Sequence, residues 1–297
     1  MKILNFGSLN IDNTYTLEHF VQPGETITSK ELRRFCGGKG LNQSIALAMA
    51  GCEVNHFGCV GIDGDVLINI LQNNNVNTES IIKLDNIQSG HAIIQVDRYG
   101  QNSIILFPGA NRQMREEWVY NEIKKYSEGD WLLIQNETNC LECAMRAAHE
   151  QGLKIAFNPS PMDHKVLSLP LELTDLFLIN EVEGMNITGK QSPAEIIADL
   201  KSRFPDSSVV LTLGKNGSIF NNSNNSIFQP AYLGDARDTT GAGDTYTGYF
   251  LANYIKGVPA HECMQIATMA STIQISRAGA ATAIPNKSEV FEALRTL

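Results

Sequence analysis

The chain has 297 residues, of which 43% are hydrophobic and 19% are charged, which is the composition of a globular protein with a sizeable core. A formal net charge of −9 argues against a nucleic-acid partner, because an acidic surface repels phosphate backbones. No run approaches the ~18 apolar residues of a membrane span, and no signal-peptide pattern is present. With six scattered cysteines that suit reduced thiols, we expect a cytoplasmic protein without a membrane partner.

Apolar runs of strand length alternate with segments of helix length along most of the chain. The predicted strands cover residues 3–7, 54–59, 131–135, 154–158, 176–179 and 208–213. Predicted helices cover residues 41–50, 66–73, 140–150, 194–203 and 245–255. Strands that are apolar on both faces and separated by helices indicate a doubly wound, mostly parallel sheet flanked by helices. We therefore expect one α/β domain over residues 1–297.

Two segments depart from this alternation. Residues from about 13–35 and 90–107 show period-2 patterning, as in the run HAIIQV, and predict antiparallel strands. Such strands can form a small sheet that stands off the main domain as a lid. Two Asn-rich pieces, 73–75 and 221–225, predict turns, and the chain from residue 243 onward is predicted to be mostly helical.

The segment 238–245, DTTGAGDT, precedes a predicted helix and carries the most informative chemistry. Small residues at a helix start leave backbone N–H groups unpaired at the positive end of the dipole, which forms an anion site. Phosphoryl transfer needs such donors together with a carboxylate that takes the hydroxyl proton, and Asp244 lies beside them. Considered alone, the segment is equally compatible with a glycine-rich loop and an acidic cap. Neither a P-loop pattern nor a complete G-x-G-x-x-G is present.

A second glycine signal is CGGKGLNQ at residues 36–43. Its glycines let a ligand approach the backbone, and Lys39 and Asn42 can hydrogen-bond the hydroxyls of a polyol. The alternative is a strand-to-helix turn with a solvated Lys39. Asn10 and Asp12 follow the first predicted strand and alternate onto one face, where ligands bind in open α/β sheets, although a turn also fits them.

Together these motifs resemble the ribokinase branch of the phosphofructokinase-B carbohydrate kinase family. The matching segments follow the family order over nearly the whole chain: GSLNID at 7–12, PGET at 23–26, GGKGLNQ at 37–43, NPSP at 158–161, NEVE at 180–183, TLGKNG at 212–217 and DTTGAGD at 238–244. Each segment alone is weak evidence for the family, but seven segments in the family order are strong evidence. The resemblance implies ATP-dependent phosphorylation of a sugar, with D-ribose at its 5-hydroxyl as the first expectation.

The resemblance also implies roles for individual residues on the sugar side. The sugar contacts would be Asn10, Asp12, Gly38, Lys39, Asn42, Glu137 and Asp244. Asp244 would accept the proton of a primary hydroxyl while that oxygen attacks the γ-phosphorus. The backbone N–H groups of Gly241, Ala242 and Gly243 would stabilise the transferring phosphoryl group.

On the nucleotide side, Asn180 and Glu183 match the family segment that organises Mg²⁺ and the phosphates through water. Alone, they equally describe a helix start with an acid in its first turn. The implied nucleotide contacts also include Thr212, Leu213, Gly214, Lys215, Asn216, Gly217, Gly243 and Thr268. Residues 212–217 also fit a hairpin turn, and Thr268 stands where other members often carry His or Asn, so altered adenine contacts are expected.

The family carries a monovalent cation beside the anion loop, mostly on backbone oxygens. The matching positions are Asp238, Thr240, Gln274, Arg277, Gly279 and Ala283. Ribokinases usually offer a hydroxyl where this chain has Ala283, so Thr282 or water would replace it, and K⁺ is expected. The lid strands of the family cover the sugar and often pair between subunits, which leads us to expect a homodimer through the lid.

Several alternatives remain open from the sequence. The substrate could be another pentose, a ketohexose or a nucleoside instead of ribose. A different class is a catalytically silent regulator that binds sugar or nucleotide, which the intact Asp244 disfavours. The C-x-x-C at Cys140 and Cys143 is interpreted as an ordinary helix start, because no second pair and no histidine spacing supports a metal site.

Overall fold

Thirteen β-strands and nine α-helices occur in residues 1–296, the part of the chain that the structure, a computed structural model, describes. The strands are β1 (Ile3–Phe6), β2 (Asn10–Thr16), β3 (Glu31–Gly37), β4 (Val54–Val60), β5 (Ile81–Lys83), β6 (Gly90–Val96), β7 (Asn102–Phe107), β8 (Trp131–Gln135), β9 (Lys154–Asn158), β10 (Leu176–Asn180), β11 (Ser208–Thr212), β12 (Ser218–Asn221) and β13 (Ser226–Gln229). The helices are α1 (Lys39–Met49), α2 (Asp65–Asn73), α3 (Glu116–Ile123), α4 (Leu141–Glu150), α5 (Glu181–Thr188), α6 (Pro193–Arg203), α7 (Ala242–Tyr254), α8 (Ala260–Ile275) and α9 (Lys287–Arg295).

Nine strands form the main sheet in the order β13-β12-β11-β10-β9-β8-β1-β4-β5. All neighbours from β11 to β5 are parallel, whereas β12 and β13 add an antiparallel edge. Parallel strands need crossover connections, which the helices supply on both faces. The predicted doubly wound, mostly parallel sheet is confirmed.

Burial on both faces explains why the central strands are continuously apolar. All five residues of β8 are buried. Successive side chains of a strand point to opposite faces, so Leu133 packs in the cluster that contains α1, α7 and α8 residues, while Leu132 and Ile134 pack in the cluster with α3, α4 and α6. These two clusters form the core and hold the strand ends in fixed positions.

The boundaries of several elements differ from the sequence-based expectations. Helix α7 begins at Ala242 instead of residue 245, so the Gly-Ala-Gly-Asp run forms its first turn. The short strands β5, β12 and β13 were not predicted, because three or four residues carry too little pattern to identify a strand. From residue 243 to residue 296 the chain is helical or irregular, as predicted.

A separate four-stranded sheet in the order β3-β2-β6-β7 forms the lid. The pairs β2–β3 and β6–β7 are antiparallel, as predicted for these segments. The central pair β2–β6 is parallel, which the sequence did not indicate. The reason is topological. Strands β1 and β5 run in the same direction in the main sheet, and β2 follows β1 while β6 follows β5, so the chain enters β2 and β6 from the same carboxyl edge of that sheet.

The C-x-x-C segment starts an ordinary helix, as interpreted from the sequence. Cys140 is the N-cap of α4, and all six cysteines are free thiols. Burial raises the pKa of both Cys140 and Cys143, which makes these thiols less reactive. Within residues 1–296, no helix combines the length and the apolar character needed to cross a membrane.

Candidate active site

A cavity of about 250 Å³ lies at the carboxyl ends of β9, β10 and β11 and beside the start of α7. This edge of an open α/β sheet is where ligands bind in such folds. The predicted site residues that line the cavity are Lys39, Asn180, Glu183, Thr212, Gly241, Gly243 and Asp244. Of the predicted sugar contacts, Lys39 and Asp244 line this cavity, whereas Asn10, Asp12, Gly38, Asn42 and Glu137 do not.

The anion loop leads into the first turn of α7. Gly241 is the N-cap with φ 78°, a left-handed conformation that favours glycine, and a Cβ there would also lie 3.2 Å from the Ala280 Cβ. A Cβ added at Gly243 would meet no heavy atom within 4 Å, so this position opens into the cavity. First-turn N–H groups have no intrahelical acceptor, which makes this turn suitable for an anion, although the Ala242 N–H donates to the Thr239 carbonyl just before the helix at 3.3 Å.

Asp244 lies buried in that first turn, with 7% of its surface exposed. Its two carboxylate oxygens each accept one side-chain amide hydrogen bond. Asn42 Nδ2 donates to Oδ2 at 3.0 Å, and Gln43 Nε2 donates to Oδ1 at 2.9 Å. Both donors come from α1, which packs against α7, so the carboxylate has a fixed orientation.

Gln43 was not among the predicted site residues, although it adjoins Asn42 in the same motif. A chain of buried amides fixes its orientation. Asn5 Nδ2 donates to the Gly40 carbonyl at 2.8 Å, which leaves Asn5 Oδ1 to accept from Gln135 Nε2 at 2.9 Å. Gln135 Nε2 also donates to Gln43 Oε1 at 2.7 Å. Because a backbone carbonyl can only accept, the Gln43 amide nitrogen is directed at Asp244.

Four carboxylates, those of Asp12, Glu137, Glu183 and Asp244, and the Lys39 ammonium group influence one another electrostatically around the predicted sugar contacts. The Lys39 backbone N–H donates to Glu137 Oε2 at 2.9 Å, and Ser8 Oγ donates to the same oxygen. Burial, reinforced by the neighbouring Glu137, raises the pKa of Asp12 to about 7. Burial likewise raises the pKa of Glu137. Burial alone would lower the pKa of Lys39, but the carboxylates of Asp244, Glu137 and Glu183 outweigh it, and the pKa is raised.

Asn10 is oriented by a residue that no motif indicated. Asn111 lies just after the lid, is buried, and donates from Nδ2 to Asn10 Oδ1 at 2.7 Å, while its own Oδ1 accepts from the Leu9 N–H at 2.9 Å. Gly90 makes room for this pair, because a Cβ there would collide with both side chains. The side-chain oxygen Oδ1 of Asn10 thus accepts a hydrogen bond within the protein, and the Nδ2 group of Asn10 is the donor that remains for a ligand.

Asn180 and Glu183 form the start of α5 as well as part of the cavity wall. Glu183 N donates to Asn180 Oδ1 at 2.9 Å, and Asn180 N donates to Glu183 Oε2 at 2.9 Å, which is a capping box. The helix-start interpretation is therefore correct, and it does not exclude a role at the cavity. Burial raises the pKa of Glu183.

A second cavity of about 430 Å³ adjoins the first and shares Thr212, Thr239 and Tyr246 with it. The predicted nucleotide residues in its lining are Thr212, Gly214, Lys215, Gly217 and Thr268. A 3₁₀ turn at Gly214–Asn216 joins β11 to β12, so this segment is also the hairpin turn that was considered. Leu213 lies buried in the core cluster beneath the turn, and neither it nor Asn216 lines the cavity.

The residues assigned to a monovalent cation gather around a side-chain amide. Gln274 Nε2 shares its two hydrogens among the carbonyl oxygens of Thr240 at 3.1 Å and of Gly279 and Ala280 at 3.0 Å each. Asp238 accepts from the N–H groups of Thr240 and Gly279. The side chains of two other members of the set do not contact this amide. The Arg277 side chain forms an ion pair with Glu289, and Ala283 is buried. Within residues 1–296, no group of three or more His, Cys, Asp or Glu side chains is arranged to hold a metal ion.

A buried carboxylate at a helix start, beside a polar cavity and a larger neighbouring one, suits a phosphotransferase that acts on a small alcohol. The family model described as pfkB family carbohydrate kinase matches residues 1–287. A ribokinase of Haemophilus influenzae is 32% identical over 97% of this chain and 96% of its own length. The chain belongs to the pfkB family of carbohydrate kinases.

Two solved structures agree with this assignment over nearly their full length. A ribokinase of Cryptococcus neoformans in complex with ADP has a TM-score of 0.86 at 29% identity and covers 98% of this chain and 99% of its own. A ribokinase of Arabidopsis thaliana complexed with ribose and ATP has a TM-score of 0.86 at 26% identity, covering 99% and 98%. The predicted ribokinase-like fold and the assignment as a sugar kinase are thereby confirmed.

Proposed function

We propose that this protein phosphorylates D-ribose at its 5-hydroxyl with ATP as the donor. The observation that supports this most strongly is the buried Asp244 carboxylate, held by two amide donors in the first turn of α7 where the two cavities meet. The similarity to ribokinases supports ribose as the acceptor.

The sugar would lie between the lid and the carboxyl edge of the main sheet. Carboxylates accept hydrogen bonds from sugar hydroxyls, and amide or ammonium groups donate to them, so the site offers both kinds of partner. The acceptors would be Asp12 and Glu137, and the donors Asn10, Lys39 and Asn42, with Gly38 allowing close approach of the backbone. Gly38 has φ 94° and an added Cβ would lie 3.1 Å from Ser8 Oγ, which supports the requirement for glycine there.

Asp244 would act as the general base. It takes the proton of the 5-hydroxyl while that oxygen forms a bond to the γ-phosphorus, and the bond between this phosphorus and the bridging oxygen of ADP breaks. The N–H groups of Gly241, Ala242 and Gly243 would stabilise the negative charge on the transferred phosphoryl group by donating hydrogen bonds to it. The ammonium group of Lys39, which lines the same cavity, adds a positive charge to this side.

ATP would occupy the second cavity, with its adenosine between the turn at 214–217 and the side of α8 that carries Thr268. Mg²⁺ would accompany the phosphates, and the Glu183 carboxylate at the wall of the first cavity fits this hard cation as an oxygen ligand that acts through water. When bound, Mg²⁺ neutralises phosphate charge during transfer.

We further propose a homodimer formed through the lid, because β7 exposes apolar side chains on both of its faces, including Ile104 at 55% and Ile105 at 58% exposure. An exposed apolar edge strand invites pairing with a second copy. A single kinase domain and a cytoplasmic location stay predictions of the sequence.

The test is ADP release from Mg-ATP across a panel of free pentoses, ketohexoses and nucleosides. We expect D-ribose to give the highest kcat/KM. A preference for another compound would leave the assignment as a kinase intact and would contradict ribose as the substrate. ATP binding without turnover on every compound would favour the catalytically silent regulator instead.

A further inference from the structure

The Gln274 side chain occupies the centre of a ring of backbone oxygens. Its Nε2 lies 3.1 Å from the Thr240 carbonyl oxygen and 3.0 Å from those of Gly279 and Ala280, and the residue is completely buried. Carbonyl oxygens can only accept hydrogen bonds, so the –NH₂ end of the amide must face them. The reversed amide would place a fourth oxygen among three and donate to none of them.

Two of these carbonyls, those of Thr240 and Gly279, belong to positions that the family resemblance assigns to the monovalent cation. An ion that contacted all three oxygens would have to lie where the Gln274 nitrogen lies. The acidic member of the set is also engaged, since Asp238 Oδ1 accepts from the Thr240 N–H at 3.0 Å and Oδ2 from the Gly279 N–H at 2.9 Å. Ala283 supplies no hydroxyl. The residues present therefore do not fit a cation.

We propose that the Gln274 amide takes the place of the monovalent cation, so that this kinase needs no K⁺ for turnover. This inference rests on the proposed kinase function for its catalytic readout, but not for its binding readout. It replaces the expectation of K⁺ from the sequence, where position 274 was expected to contribute mainly a backbone oxygen.

The position of the ring explains what the amide does. Thr240 immediately precedes Gly241, the N-cap of α7, so a donor on the Thr240 carbonyl fixes the peptide group that leads into the anion loop. Gln274 reaches this peptide from α8, which packs along α7. The same amide ties the Thr240 carbonyl to the Gly279–Ala280 segment, and Asp238 makes a second tie between the same two segments. A covalently attached donor thus holds the loop without an ion.

The test compares the wild type with Gln274→Ala in K⁺, Na⁺ and choline chloride at equal ionic strength. Wild-type kcat and the midpoint of thermal unfolding are expected to be the same in all three salts. Gln274→Ala leaves the three carbonyls facing an empty space, so we expect kcat in choline to fall about tenfold or more. K⁺ should restore most of that loss and raise the unfolding midpoint, because an ion that binds only the folded state stabilises it.

Two further variants sharpen the comparison. Gln274→Ala combined with Ala283→Ser adds a hydroxyl to the vacated space and should strengthen the K⁺ response. Gln151→Ala is the matched control, since Gln151 also donates from Nε2 to a backbone carbonyl, that of Tyr126, at 2.9 Å but far from the site. It should show no K⁺ response.

A wild-type enzyme whose kcat rises severalfold with K⁺, or whose unfolding midpoint rises with K⁺ over choline, would overturn the proposal. Thallium(I)-soaked wild-type crystals with an anomalous peak among the Thr240, Gly279 and Ala280 oxygens would do the same. The melting and diffraction readouts stay decisive if no sugar is turned over or if Gln274→Ala does not fold, so they are independent of the proposed function.

Discussion

The Gln43 amide nitrogen lies 2.9 Å from Asp244 Oδ1, although the two residues are 201 positions apart in the chain. The same nitrogen donates to Asn158 Oδ1 at 3.1 Å, and Asn158 in turn donates to the Leu178 carbonyl at 2.7 Å. The proposed base is thereby connected to β9 and β10 through one glutamine. Gln43 is a positioning residue, because it acts on the carboxylate and not on a reacting atom.

Replacement of Gln43 by Met should lower kcat by about 10- to 100-fold, which corresponds to ~1.5–3 kcal/mol for a hydrogen bond to a charged group. KM for ATP should stay nearly unchanged, because Gln43 does not line the nucleotide cavity. Steady-state kinetics with separate kcat and KM values checks this. The control is Gln72→Met, at an exposed glutamine of α2 that bonds Thr78. A kcat within about twofold of wild type would contradict the positioning role.

The affinity for sugar should depend on pH through Asp12, whose pKa burial and the neighbouring Glu137 raise to about 7. The ionised carboxylate accepts hydroxyl hydrogen bonds, and protonation removes part of that capacity. KM for the sugar should therefore rise as the pH falls below about 7, by up to about tenfold for each pH unit. Above the pKa, KM should level off.

Asp12→Asn tests the assignment of this pH dependence. The variant should have a higher KM than the wild type above about pH 7 and a flatter profile, because its side chain does not titrate. Sugar KM values from about pH 6 to pH 8 at saturating ATP give the profile. A wild-type KM that does not change over this range would show that Asp12 is not the titrating sugar contact.

Two glycines of α7 should respond in opposite ways to the same substitution. Gly243→Ala places a methyl group into the first cavity without meeting any protein atom within 4 Å, so the midpoint of unfolding should not fall. Its kcat/KM should fall by about tenfold or more, because the methyl group would occupy the space proposed for the phosphoryl group.

Gly248→Ala is the matched comparison within the same helix. Its Cβ would collide with Ala46 of α1, so this variant should unfold at a lower temperature. Thermal unfolding and kinetics of both variants decide the matter. Full activity in Gly243→Ala would contradict the proposed phosphoryl position.

The proposed dimer should dissociate when a charge is placed on the lid. Ile105 pairs with Ile93 on the face that does not carry Asp12, and both side chains are exposed, at 58% and 37%. Ile105→Glu should shift sedimentation from dimer to monomer, because a buried unpaired charge is costly. Tyr120→Glu, at an exposed aromatic on α3, is the control. A wild type that sediments as a monomer would refute the dimer.

Local pattern sufficed for elements whose burial is uniform along the chain. Strands β8 and β9 begin and end where the apolar runs predicted, because every residue of β8 and all but the first of β9 are buried. Helix α7 was predicted to begin three residues late, since Gly and Ala at its start carry no periodicity. The antiparallel strand β13 was not predicted, because the alternation of its exposed and less exposed residues extends over only four positions.

The contacts that complete the site could not be predicted, because their partners are distant in sequence. The pattern around Asn42 and Asp244 identified the motifs, but only the packing of α1 on α7 brings Gln43 to the carboxylate. Asn111 lies in no motif, and its contact with Asn10 spans 101 positions. The position of Gln274 was indicated by family order, whereas the direction of its side chain depends on the conformation of two loops.

The most direct test of Asp244 as the base of a sugar kinase is D-ribose-dependent ADP release by Asp244→Asn beside the wild type, with ATP affinity measured separately by titration calorimetry. We expect the wild type to release ADP only when sugar is present. The variant should bind ATP normally while its kcat falls by a factor of about 100 or more, since an amide cannot take the hydroxyl proton. Near-normal turnover by Asp244→Asn would contradict the central claim.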